Sequence, residues 1–194
     1  MEIRPAHPAD AEGIALVHVR AWQAAYAGIV PREHLDALDP AAAAEVWAER
    51  LAASEAPRAR VLVAVADSAD SADSADRIVA FAGFRPAEPV TEATTEPAPA
   101  DAPEDGEIHT MYAHPDHWGT GVGRALMEAT TTALAAAGYR DGTLWVLADN
   151  TRARRFYEAA GWRFDGATAE ETTGGAVLPE LRYRKALTGT RTQT

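Results

Sequence analysis

Three glycines stand at alternate positions, 119, 121 and 123, between a run of strand-forming residues and a run of helix-forming ones. The run before them is Glu107-Ile-His-Thr-Met-Tyr-Ala113, broken by Pro115, and the run after them reads as a helix from about Val122 to Ala137, ended by Gly138. Glycine lets the backbone come close to a ligand, and the unpaired N–H groups at a helix start favour an anion such as a phosphate. A strand that feeds a helix through such a turn therefore points to an α/β fold with an anion site at the turn.

Two familiar phosphate loops do not fit His114-Pro-Asp-His-Trp-Gly-Thr-Gly-Val-Gly-Arg124. A Walker A loop needs Lys and Ser or Thr after its last glycine, where Arg124-Ala125 stand. A dinucleotide fingerprint begun at Gly119 or Gly121 needs a further glycine at 124 or 126, and Arg124 and Leu126 occupy those positions.

The rest of the chain alternates between the two periodicities. Ile3-Arg-Pro reads as a first strand, and Ile14, Val17, Ala21 and Ala25 line one face of a helix that Gly28 ends. Leu35 and Leu38 suggest a short second helix, and Ala41 to Ala53 a third, stopped by Pro57. Residues 60–66 and 77–85 are dense in β-branched and aromatic side chains and read as neighbouring strands. After the glycine turn come a strand at Thr143–Leu147, a helix from Thr151 to Ala160 stopped at Gly161, a strand at Trp162–Phe164 and a closing strand at Leu181–Leu187. The pattern predicts one domain over residues 1–187, with 188–194 a disordered tail.

Charge separates this body from two low-complexity segments. Ser-Ala-Asp repeats three times over residues 68–76, and residues 86–106 are rich in Pro, Glu, Thr and Ala without apolar periodicity. Both, at 67–76 and 86–106, read as flexible acidic loops. They hold ten of the carboxylates behind a net charge of −11, so the folded body is close to neutral. That balance gives no basic surface for a nucleic-acid partner. No apolar run approaches the roughly 20 residues of a membrane span, and the start lacks the basic and apolar regions of a secretory signal. With no cysteine in the chain, disulfides and thiolate chemistry are excluded, and a cytoplasmic home is expected. His109, His114 and His117 do not form a metal-binding register, since Pro115 interrupts them, and no metal site is expected.

The glycine loop resembles that of the GNAT (GCN5-related) N-acetyltransferases, whose pattern is Gln/Arg-x-x-Gly-x-Gly/Ala between the fourth strand and a helix. Trp118-Gly-Thr-Gly-Val-Gly123 matches its two defining glycines and departs at Trp118, where the family has Gln or Arg. A second stretch, Leu147-Ala-Asp-Asn150-Thr-Arg-Ala-Arg-Arg-Phe-Tyr157-Glu-Ala-Ala-Gly161-Trp162, is similar to the family's strand, Asn, Tyr-bearing helix, Gly and aromatic residue. Trp22-Gln-Ala-Ala-Tyr26-Ala-Gly-Ile-Val-Pro31 looks like its substrate-side helical segment.

The resemblance implies a single-domain fold with a mixed, mostly antiparallel sheet of about seven strands flanked by helices. It implies acetyl-CoA as donor and an amine as acceptor, with a homodimer as a further expectation. Cofactor contacts would come from Met111, Tyr112 and Ala113, from Trp118, Gly119, Thr120, Gly121, Val122, Gly123 and Arg124, and from Asn150, Arg154 and Tyr157. Arg155 is a further candidate for the phosphates. The Met111 N–H would polarise the thioester carbonyl, and Tyr157 would protonate the departing thiolate. Asn150 reads equally well as a pantetheine contact and as a helix N-cap. An amine of pKa about 10.4 is mostly protonated at neutral pH, so a base is useful. Glu107 is the first candidate by its spacing from the loop, and His109, two positions on and facing the same way, is the alternative. Trp22, Tyr26, His34 and His109 are candidates for the acceptor pocket, and core packing is the other reading of the first three. A small-molecule amine is the expected acceptor; a protein N-terminus or lysine, and a non-catalytic acetyl-CoA sensor, are the alternatives.

Overall fold

The computed structural model describes residues 1–53, 58–66, 78–87 and 105–187. Its strands are β1 (Glu2–Pro5), β2 (Arg60–Val65), β3 (Ile78–Pro86), β4 (Gly106–Ala113), β5 (Asp141–Leu147), β6 (Arg163–Thr173) and β7 (Ala176–Ala186). They form one sheet in the order β1-β2-β3-β4-β5-β7-β6. Neighbours are antiparallel throughout except β4 and β5, which are parallel. The helices are α1 (Ala11–Ala25), α2 (Arg32–Asp36), α3 (Pro40–Ala52), α4 (Val122–Ala136) and α5 (Thr151–Ala159). Among the described residues, no helix is long and apolar enough to cross a membrane.

The near-continuous apolar runs of β2 and β3 follow from burial on both faces. Val63, Val65 and Phe81 pack under α1 and α3 with Ile14, Val17 and Trp47. Leu62, Ala64, Ala80 and Ala82 turn the other way and meet Val122 and Leu126 of α4. Each large apolar side chain so buried contributes about 1.5–3 kcal/mol. Asp39 starts α3 by accepting the Ala41 N–H at 3.0 Å, with Pro40 in the first helical position. A third cluster, including Phe84, Ile108, Leu134, Tyr139, Leu144 and Trp162, closes the space beneath α4 and α5.

Two elements differ from the sequence reading. The strand expected at Trp162–Phe164 runs from Arg163 to Thr173, and the one expected to begin at Leu181 begins at Ala176. Gly174 and Gly175, with φ of 59° and 82°, make the turn between them. Residues 165–173 are polar and mostly exposed, so they show no apolar alternation. Pairing from Thr168–Leu181 to Thr173–Ala176 holds them as strand.

The expected loop at 86–106 is also shorter. Pro86 pairs with Gly106, and the Ala87 N–H donates to the Asp105 carbonyl at 2.8 Å. Residues 88–104, the acidic repeat, Pro57 and the tail at 188–194 lie outside the described residues.

Candidate active site

The parallel pair β4–β5 lasts only three residues, Gly106–Ile108 against Gly142–Leu144. Beyond that the strands part and a cleft of about 730 Å³ opens. The backbone groups that face it follow from the phase of the β3–β4 ladder. The His114 N–H donates to the Val79 carbonyl at 2.8 Å. Hydrogen-bonded pairs alternate in an antiparallel ladder, so Met111 (opposite Ala82) and Ala113 (opposite Ala80) turn their N–H and C=O groups away from β3. The Ala113 carbonyl is indeed taken from that side, by the Trp118 Nε1–H at 2.9 Å. The Met111 N–H has the same orientation, into the opening between the strands.

The glycine turn forms one wall. A 3-10 turn over Pro115–His117 leads into Gly119 and Gly121, whose φ values of 77° and 93° favour glycine. A Cβ at either position would meet nothing within 4 Å, so the turn presents open backbone. Gly121 is the N-cap of α4 and offers no side-chain cap. The first-turn N–H groups of this helix are therefore left for an external acceptor. At Gly123 a Cβ would sit in ordinary contact with the Phe156 ring of α5, at 3.5 Å. An open N-terminus beside two left-handed glycines fits a diphosphate group.

Glu107, His109, Met111 and Tyr157 all line this cleft. A bulge sets their directions. Gly83 stands opposite Thr110 and Phe84 opposite Ile108, which leaves His109 as the extra residue of β4. Ile108 and Met111, three positions apart, thus both pack beneath α4, while Tyr112 joins the cluster under α1 and α3. Glu107 is 8% exposed, and its Oε1 accepts from Arg85 Nη2 at 3.3 Å. His109 fits over Gly83, where a Cβ would come within 2.8 Å of Nε2. Desolvation, helped by the charges of Arg85 and Arg50, lowers its pKa to about 4, so the imidazole is neutral at neutral pH. Burial, with Tyr26 nearby, pushes the Tyr157 phenol above its ordinary range. Tyr157 therefore keeps its proton, and its hydroxyl has no hydrogen-bond partner among the described residues.

Asn150 caps α5 by accepting the Ala153 N–H at 3.1 Å, and it also lines the cleft. The capping and cleft positions are compatible, because the cap uses only Oδ1 and leaves the side-chain NH₂ as a donor.

At the far end, Trp22 and Tyr26 meet edge to face at 4.9 Å, and the Tyr26 and Tyr112 hydroxyls lie 3.3 Å apart. Val30 and Leu35 pack with Leu147 and Leu178, which seats the α1–α2 corner on β5 and β7. Glu171 and Glu180 come into the cleft from β6 and β7. Burial first, then the charges of Glu171 and Glu107, raise the pKa of the Glu180 carboxyl. This end is therefore aromatic and acidic.

Tyr112, Ala113, Trp118, Gly119, Gly121, Val122, Gly123 and Arg124 line the cleft as well, but four sequence candidates do not. Thr120 turns its hydroxyl back onto the His117 carbonyl at 2.8 Å. His34 is held outside the lining, against Gly174, where a Cβ would sit 2.7 Å from its own. Arg154 is turned onto the Ala148 carbonyl at 3.0 Å and the Tyr183 hydroxyl at 3.2 Å. Arg155 likewise lies outside the lining. The residues that sequence reasoning missed are Arg85, Arg152, Glu171 and Glu180. The Gly174-Gly175 dipeptide was the available signal for the last two, since it marks the hairpin that delivers them. Among the described residues, no group of His, Asp and Glu is arranged to hold a metal ion.

Comparison with known proteins agrees with this fold. The sequence model of the acetyltransferase (GNAT) family matches residues 21–162, from α1 through the glycine turn to the end of α5. Mycothiol acetyltransferase of Kocuria rhizophila is 38% identical over 72 residues, 36% of this chain but only 24% of that relative. YuaI of Bacillus subtilis, an uncharacterised N-acetyltransferase, is 27% identical over 148 residues, 76% of this chain and 72% of its own length. In fold, the chain is similar to the PaiA N-acetyltransferase of Thermoplasma acidophilum, solved in complex with coenzyme A. The TM-score is 0.66 at 19% identity, over 95% of this chain and 98% of that one.

Proposed function

Because the chain belongs to the acetyltransferase (GNAT) family, we propose that it transfers the acetyl group of acetyl-CoA to the primary amine of a small, cationic molecule. The observation that carries this reading is the parting of β4 and β5. It gathers the open α4 N-terminus, the Met111 N–H, Glu107 and Tyr157 around one cleft.

Acetyl-CoA supplies an activated thioester carbonyl, and the chain's residues do the rest. First-turn amides of α4 and the glycine turn hold the diphosphate, and the Asn150 side-chain NH₂ meets the pantetheine arm. The Met111 N–H stabilises charge developing on the carbonyl oxygen. Glu107 takes a proton from the acceptor ammonium through a water molecule, which frees the nitrogen lone pair. As the C–N bond forms and the C–S bond breaks, the Tyr157 hydroxyl delivers a proton to the leaving sulfur.

Two features support a small cationic acceptor. Glu107, Glu171 and Glu180 set three carboxylates at the aromatic end of the cleft, an arrangement that attracts an ammonium ion. The α1–α2 corner, seated on β5 and β7, bounds this end, which suits a small molecule better than a side chain on a folded protein.

The test is release of free thiol from acetyl-CoA with a panel of amines, peptides bearing a free N-terminus or lysine, and a no-acceptor control. Release that depends on small cationic amines, and that falls about 10²-fold or more in Tyr157→Phe, is the expected result. Release only with peptides moves the acceptor to proteins. Binding without release for any acceptor makes the chain an acetyl-CoA sensor.

A further inference from the structure

We infer that Arg152 is a phosphate-binding residue for coenzyme A, held in place by Trp118, and that this pair replaces the polar residue the glycine loop lacks at its first position. The inference rests on the proposed use of acetyl-CoA.

Trp118 interrupts the loop pattern with a side chain that cannot contact a phosphate as Gln or Arg would. Its ring is fixed, because Nε1 donates to the Ala113 carbonyl at 2.9 Å. The Arg152 guanidinium carbon lies 3.7 Å from the centroid of that ring, and both residues line the cleft. Arg152 comes from the opposite wall, on the first turn of α5. The contact spans the gap between the α4 and α5 starts.

This cation–π contact leaves chemistry to spare. A guanidinium held over an indole ring still has N–H groups to offer, and these can form the fork that matches phosphate oxygens. Arg152 has no carboxylate partner among the described residues. Of the neighbouring arginines, Arg154 is turned onto Ala148 and Tyr183, while Arg124 also lines the cleft and lies 3.7 Å from Glu128 along the exposed side of α4. Helix stability does not explain the charge either. A cation in the first turn of a helix opposes the helix dipole, and α5 has no acidic residue in that turn to offset it. An anion bound between the two helix starts would remove the conflict.

The experiment is calorimetric titration of the purified protein with coenzyme A, dephospho-coenzyme A and S-acetylpantetheine, at two salt concentrations. Arg152→Gln is expected to weaken coenzyme A binding about tenfold, as loss of one charged hydrogen-bonding group would. It should also flatten the salt dependence and leave S-acetylpantetheine unaffected. Arg152→Lys should recover only part of the loss. Adding Trp118→Arg to Arg152→Gln should restore binding by returning a cation to the loop itself. Comparison with dephospho-coenzyme A assigns the contact to the diphosphate or to the 3′-phosphate. An unchanged affinity in Arg152→Gln, or an equal loss for S-acetylpantetheine, overturns the assignment while the donor reading stands. Failure of the unaltered protein to bind coenzyme A overturns both.

Discussion

Gly106 of β4 stands directly opposite Gly142 of β5, at the first rung of the parallel pairing that ends two residues later. Neither position has room for a methyl group. A Cβ on Gly106 would collide with Leu134 Cδ2 and lie 2.8 Å from the Tyr139 ring. One on Gly142 would lie 2.8 Å from Trp162 Cη2. The two glycines let Leu134 near the end of α4 and Trp162, three residues past α5, seat tightly where the strands are joined. Gly106→Ala is therefore expected to destabilise the fold by about 1–3 kcal/mol through overpacking. Gly175→Ala, with open space around it but φ of 82°, should cost only about 1 kcal/mol through backbone strain. Denaturant titration of the two variants checks the order, and equal costs would remove the packing argument.

Glu107 and His109 compete for the role of base. Both line the cleft, and the bulge at His109 governs how that side chain is presented. Glu107 is buried and, in the proposed mechanism, is the base, so Glu107→Gln should lower kcat by about 10²–10⁴-fold. Affinity for coenzyme A should not change in that variant. His109→Gln should retain most of kcat. The reverse pattern transfers the role to His109, whose low pKa keeps it unprotonated and competent down to about pH 4.

A second perturbed histidine concerns stability. His18 of α1 stacks on Tyr112 at 5.2 Å, and its Nδ1 accepts the Trp47 indole N–H at 3.3 Å, which requires the unprotonated nitrogen. Desolvation, with a smaller contribution from Arg50, lowers its pKa to about 4. The unfolded chain then binds a proton between pH 6.5 and 4 that the folded chain refuses, so stability falls as pH drops through that window. The contribution at stake is on the order of 2 kcal/mol after allowance for solvent screening. His18→Gln should reduce the loss in a pH series of thermal melts, leaving the share that His109, also lowered to about 4, contributes. A slope that is unchanged in the variant would assign the effect to other groups.

Much of this was legible in the sequence. The glycine turn, the strand before it and the helix after it are local signals, and their order specifies a sheet whose fourth strand leads to an anion site. Two features were not legible, because they depend on the third dimension. Arg154 and Arg152 are two residues apart on one helix. That rotation alone sends the first to Tyr183 and the second over Trp118. The hairpin β6–β7 carries mostly polar side chains on its first strand, so hydrophobic periodicity could not reveal its length. Glu171 and Glu180 therefore lay outside the sequence's list of site residues, although they complete the acidic end of the cleft.

Glu180 joins function to a stability cost. It lies opposite Leu147 of β5 and Ala169 of β6, and its carboxyl pKa is raised by burial and by the charges of Glu171 and Glu107. A carboxyl raised in the folded state favours folding when protonated. The ionised form at neutral pH therefore costs stability, and the cost disappears as pH falls through the raised pKa. A cationic acceptor would offset the same repulsion by binding. Glu180→Gln is thus expected to be more stable than the natural chain near pH 7, and no more stable in acid. The same change should raise KM for a cationic amine about tenfold and leave coenzyme A affinity alone. Melting curves at two pH values, with acceptor kinetics on the same preparations, read both effects. A variant that loses stability at neutral pH, or keeps its acceptor KM, would show that Glu180 supports the hairpin and does not receive the amine.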